Sequence, residues 1–169
     1  EDRMEDGAAT EASIRENLIV DRYYRPPFSR FGRIIARETS ALSRELIEDY
    51  EIHCRDELQP IGALSGGNIQ KCVVARELSA DPDVIVASQP TRGVDIGSWE
   101  RIHELLVNAR DRGKGVFLVS ADLDELLKLA TRIVVVYNGE IVARFDDTAE
   151  LTPEDLGPYM LGVERKEGV

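Results

Sequence analysis

Cysteine is scarce: Cys54 and Cys72 are the only two in 169 residues. One sits in a loop-like stretch and the other in a helical pattern, so a disulfide framework is not expected and a reducing cytoplasm fits. Long apolar runs are missing too. The stretch Ile133–Tyr137 is typical, far below the roughly 20 residues a membrane helix needs. Cations are outnumbered, 21 Lys and Arg against 32 Asp and Glu, a formal net charge of -11 that repels nucleic acid; no nucleic-acid partner is expected. No 20 to 50 residue period appears, which excludes repeat architectures. What remains is a chain with 43% apolar residues, enough for the core of a globular domain.

The chain changes character near residue 80. Before it the pattern is helical: Ser13-Ile14-Arg15-Glu16 has capping-box spacing, and Ile35, Leu42, Leu46 and Tyr50 recur along one face of a helix expected from about Arg33 to Tyr50. After it strands and helices alternate. Val84 to Ala87 and Val116 to Val119 are apolar on successive positions, as in parallel strands buried on both faces. Between them Trp99, Ile102, Leu106 and Ala109 mark a helix ending near Gly113, and Leu123, Leu126, Leu127 and Ala130 a second, shorter one. Ile133–Tyr137, Asn138-Gly139 and Ile141–Phe145 read as a hairpin, and Thr152-Pro153-Glu154-Asp155 as the start of a final helix. The class predicted is α/β, a helix-flanked parallel sheet with a terminal hairpin, preceded by an α-helical subdomain.

Leu64-Ser65-Gly66-Gly67-Asn68-Ile69-Gln70-Lys71 is the most informative segment. Two glycines after a serine, at the mouth of a helix, leave backbone N–H groups and a hydroxyl at its positive end, a site shaped for phosphate. Taken alone it reads equally well as an ordinary glycine-containing helix entry.

The segment resembles the signature motif of ATP-binding-cassette ATPases, and its Asn68-x-Gln70-Lys71 ending resembles the simple-sugar and purine-nucleoside importer branch. Gln89-Pro90-Thr91-Arg92-Gly93-Val94-Asp95 is similar to that branch's region after the Walker B strand. Glu1-Asp2-Arg3 with Gly7, and Ser13 to Leu18, resemble the stretch after the Q-loop in the second cassette of such double-cassette proteins. The resemblance implies residues 1–80 as the helical signature subdomain and 81–169 as part of a RecA-like P-loop NTPase core. It further implies ATP and Mg²⁺ as cofactors, with Ser65, Gly66, Gly67, Asn68, Gln70 and Asp95 as nucleotide-facing residues, the last in the D-loop.

The chain departs from the family where hydrolysis is performed. An active Walker B strand ends in Asp-Glu-Pro; here Ser88-Gln89-Pro90 stands, so the Mg²⁺ aspartate is Ser88 and the catalytic glutamate Gln89. Neither carries the charge needed to balance a metal or draw a proton from water. Ala121 stands at the switch-histidine position. The phosphate-gripping pattern Gly-x4-Gly-Lys-Ser/Thr occurs nowhere in the 169 residues. The resemblance therefore implies the C-terminal part of a longer protein, inactive by itself, whose signature and D-loop complete the ATP site of a second cassette.

The partners implied are that second cassette, transmembrane permease subunits and, indirectly, a substrate-binding protein, at the cytoplasmic face of the membrane. Two further readings stand beside this: a non-catalytic regulatory or docking module, and a non-transport cassette protein of DNA repair or translation. Arg22 to Arg37 holds five arginines and four aromatic residues and no acid. A solvated loop stiffened by Pro26-Pro27 accounts for it, as does a basic-aromatic surface for bases or a membrane; the family resemblance implies docking on the transmembrane subunits. His53 beside Cys54 lacks the spacing of a metal site, and Asp122, Asp124 and Glu125 read as helix-start acids.

Overall fold

A computed structural model describes residues 7–166, and the Glu1-Asp2-Arg3 part of the family stretch lies outside them. The chain forms two compact units. One takes in the chain up to Ile85 together with Pro90–Val116, the other Val86–Gln89 with the chain from Phe117 onward.

In the first unit, α1 (Ile14–Ile19) begins with the expected capping box: Ser13 Oγ accepts from Glu16 N–H, and Glu16 Oε2 from Ser13 N–H. The chain before and within α1 is stitched to residues 57–61, Ile14 N–H donating to Gln59 O and Ile61 N–H to Ala12 O. A small hairpin follows, β1 (Ser29–Arg30) paired antiparallel with β2 (Arg33–Ile34). The expected helix from Arg33 thus starts later, as α2 (Ala36–Asp49). Phe31 and Gly32 both take positive φ (51° and 75°) and turn the chain back, so residues 33 and 34 pair with a strand before the helix can begin. A 3₁₀ turn at Ile61–Ala63 leads into α3 (Gly66–Leu78). Helix α1 packs on α2 and α3, and α3 on α4 (Ile96–Asp111). Ile14, Leu18, Leu46, Ile52, Ile61, Ile69, Cys72 and Ala75 form the core.

Strands β3 (Val84–Ser88) and β4 (Gly115–Val119) lie side by side. Gly115 N–H donates to Asp83 O at their starts and Gln89 N–H to Val119 O at their ends, so they run parallel as expected. The expected burial on both faces fails: Val86 and Phe117 are 69% and 61% exposed, and exposure alternates along each strand. Side chains point to opposite faces in turn, and a strand pair covered on one face leaves every second residue in solvent.

In the second unit, β5 (Ile133–Tyr137) and β6 (Glu140–Phe145) make the expected hairpin, with Asn138 and Gly139 at φ 49° and 80°. A bulge between Val135 and Val136 shifts the register. Helix α6 (Pro153–Met160) starts at Thr152 with a capping box to Asp155 and packs on β5 and on α5 (Leu123–Leu129). Ile133, Val135, Val142, Ala143 and Leu156 are its core. Of the helix-start acids, Asp122 caps α5 by accepting from the N–H groups of Asp124 and Glu125. Glu125 is instead fully buried.

Candidate functional site

Ser65 is the N-cap of α3, extended at φ -65° and ψ 155°. Its Oγ accepts from Asn68 N–H at 3.4 Å and from Asn68 Nδ2 at 2.9 Å. A hydroxyl has two lone pairs and one proton, so both acceptor positions are occupied and the O–H is left to donate outward, from an exposed residue. Ile69 N–H closes on Ser65 O at 2.9 Å. The Gly66 and Gly67 N–H groups are the remaining donors of the first turn, which has no earlier carbonyls to satisfy them. The helix dipole adds partial positive charge there. Hydroxyl and amides together suit an oxyanion such as a phosphate.

Gly67 is buried, and a Cβ added to it would lie 2.5 Å from both Asp95 Oδ2 and Ser98 Oγ. Only glycine fits there. Asp95 is the N-cap of α4: its Oδ1 accepts from Ser98 N–H at 3.0 Å and its Oδ2 from Ser98 Oγ at 2.9 Å. The Ser98 N–H, then its hydroxyl, hold the Asp95 carboxyl below the usual carboxylate range. The residues expected in the signature and D-loop therefore meet within one unit, with the helix mouth of α3 against that of α4.

Asn68 does not point outward. Its Oδ1 accepts from His53 N–H at 2.8 Å while its Nδ2 donates to Ser65 Oγ, so the carboxamide bridges Ser65 to the turn after α2. That turn is held at two further places: Lys71 Nζ donates to Glu51 O at 3.0 Å, and Arg101 Nη2 to Asp49 O at 2.5 Å. Gln70, half-buried, lies about 200° round α3 from Asn68. Sequence reasoning assigned no role to His53 N–H, Lys71, Ser98 or Arg101. Only Ser98 left a signal, the Asp-x-x-Ser spacing of an N-cap at 95–98.

Ser88, Gln89 and Ala121 belong to the second unit. Ser88 ends β3 and is exposed, and Gln89 follows at φ 49° with its N–H on Val119 O at 2.7 Å. A left-handed glutamine at the carboxyl end of a parallel strand is strained backbone where open α/β sheets place ligands. Ala121 is exposed in the turn after β4, where Ser120 Oγ accepts from Asp122 N–H. The Ser88 and Gln89 side chains offer a hydroxyl and an amide, neutral oxygens that do not suit Mg²⁺ as a carboxylate does.

No protein-family model matches the chain. It is 40% identical over 162 residues, 96% of its length, to the nucleoside import ATP-binding protein NupA of Lactococcus lactis, and 39% identical over 167 residues, 99% of its length, to the guanosine import ATP-binding protein NupO of Bacillus subtilis. It spans about a third of the length of these curated relatives, 32% of each. Among solved structures it is similar to a dimeric ATP-binding cassette in a post-hydrolysis state bound to ADP and Pi, with TM-score 0.65, 26% identity, and coverage of 85% of this chain and 60% of that one. A putative metal-chelate type ABC transporter shares the fold, with TM-score 0.71 at 16% identity over 92% of this chain and 60% of that one. The chain is ABC transporter ATPase cassette sequence, homologous to the ATP-binding proteins of nucleoside and sugar import.

Proposed function

We propose that the chain is the C-terminal cassette portion of an ABC importer for purine nucleosides or simple sugars, at the cytoplasmic face of the membrane with permease subunits and, indirectly, a substrate-binding protein. Residues 1–80 serve as the helical signature subdomain and 81–169 as part of the ATPase core. Ser65, Gly66 and Gly67 contact the phosphates of an ATP held by a second cassette, and Asp95 shapes that surface by fixing the start of α4. The observation that carries the reading is the Ser65 hydroxyl, its acceptor positions filled by Asn68, beside the Gly66 and Gly67 amides. Such positioned donors stabilise negative charge as it grows in a transition state.

The cassette's own hydrolytic site is silent in this reading. Ser88 and Gln89 supply neither the metal-balancing nor the base carboxylate, and Ala121 no imidazole. ATP and Mg²⁺ are then held chiefly by other parts of the full-length protein. Loss of a positioned base costs about 10² to 10⁴ in rate.

The test is ATPase and uptake by the full-length protein assembled with its membrane subunits. Ser65→Ala should lower both by at least about tenfold, since one preorganised donor typically contributes 10²–10³. Gln89→Ala should leave both within about twofold. An unaffected Ser65→Ala transporter would replace this reading with the non-catalytic docking module.

A further inference from the structure

The β1–β2 hairpin carries features that the packing of the first unit does not use. Its register sets Arg30 directly opposite Arg33, and like charges facing across a strand pair repel. At the tip, Phe31 takes φ 51° and is 91% exposed. A bulky side chain in the left-handed region is backbone strain, and a ring left in water is a solvation cost. The Arg30 guanidinium lies 5.3 Å from the Phe31 ring centroid, and that of Arg25 5.1 Å from the Tyr24 ring, which stands edge-on to Tyr23 at 5.7 Å. Tyr24 and Ile34 are exposed alongside. Among the described residues no ion pair joins Arg25, Arg30 or Arg33 to a carboxylate, in a chain of net charge -11.

We propose that this hairpin tip is a contact for an anionic bilayer surface, with Phe31 and Tyr24 seated at the boundary of headgroups and acyl chains and Arg25, Arg30 and Arg33 on lipid phosphates. The charge repulsion and the ring exposure are both relieved there. Phosphates between Arg30 and Arg33 turn repulsion into attraction, and the headgroup layer surrounds a ring that a flat surface would cover on one side only. Arginine with aromatic residues is the pairing that interfaces favour, apolar parts inward and charged ends at the phosphates. The overall negative charge does not oppose this, because at physiological salt charges beyond about 8 Å are screened and the local arginines dominate.

The experiment is vesicle flotation of the full-length protein purified without membrane subunits, using phosphatidylglycerol–phosphatidylcholine vesicles against phosphatidylcholine alone. Binding is expected to the anionic vesicles and to fall steeply between 0.05 and 0.5 M salt, roughly the range over which the Debye length shrinks below 5 Å. Arg30→Gln and Arg33→Gln should each weaken it by about fivefold. Phe31→Asn separates folding from binding: asparagine accepts the left-handed turn, so thermal stability should hold or rise while vesicle binding falls. No binding to anionic vesicles, or full binding by Phe31→Asn, overturns the proposal. So does binding that appears only once membrane subunits are reconstituted, which would make the tip the occupant of a protein pocket.

Discussion

The Asn68 carboxamide nitrogen donates to Ser65 Oγ at 2.9 Å, so the side chain that follows the two glycines supports the serine from behind. Asn68→Ala should therefore act through Ser65. In the assembled transporter it should lower ATPase turnover by about 5 to 30-fold, the loss expected when a hydrogen bond of roughly 1–2 kcal/mol is removed. In a Ser65→Ala background it should have no further effect, a non-additivity that a purely structural role would not produce. Additive losses in that double-mutant cycle would sink the idea.

Gly67→Ala should destabilise the fold by about 1–3 kcal/mol, since its Cβ would enter the space of Asp95 Oδ2 and Ser98 Oγ. Denaturant unfolding checks this without nucleotide present. Because the damage is intramolecular, Ser98→Gly should restore part of it by removing one of the two oxygens; unchanged stability of Gly67→Ala would refute the close approach.

Burial pushes the Cys72 thiol up to about 12, with Cys54 nearby adding to the shift, while burial also raises Cys54. A thiol whose folded value is raised stabilises the fold fully below its unfolded value near 9, and that contribution is lost as pH rises toward 12. Melting temperature should therefore drop across that alkaline window, and Cys72→Ala should flatten the drop. A thiol reagent at pH 8 should label Cys54 well before Cys72; equal rates would contradict the burial.

Gly162 sits at φ 70° with the Tyr137 ring in the space a Cβ would need. Gly162→Ala should cost about 1–3 kcal/mol, combining strain with overlap. Tyr137→Ala should relieve the overlap part, so the double variant should be more stable than the sum of the singles predicts.

Local chemistry was legible where it is decided locally. The Ser13–Glu16 box, the helix start at Thr152 and the Asn138-Gly139 turn need only neighbours, and each formed as read. Arg33 and Ile34 were misplaced because a hairpin turn at Phe31-Gly32 lacks the usual Asn or Asp and leaves no signal. Exposure on β3 and β4 depends on what covers a sheet, which an apolar run does not encode. At the site, the glycines and serine were readable as a helix mouth. The inward turn of Asn68 was not, since its anchor is a backbone N–H 15 residues away, and neither was the left-handed Gln89, a residue type that rarely marks such backbone.

The turn after α2 receives Lys71 from α3, Arg101 from α4 and Asn68 from the first turn of α3. Its carbonyls at Asp49 and Glu51 thus take cations from two other helices, and those helices open at the N-caps Ser65 and Asp95. Because all three close on one turn, the amides of the turn and of the two helix starts should exchange with solvent as one cooperative block. A tug on α2 would arrive at both helix mouths together, which turns a short loop into the shared mount of the two motifs.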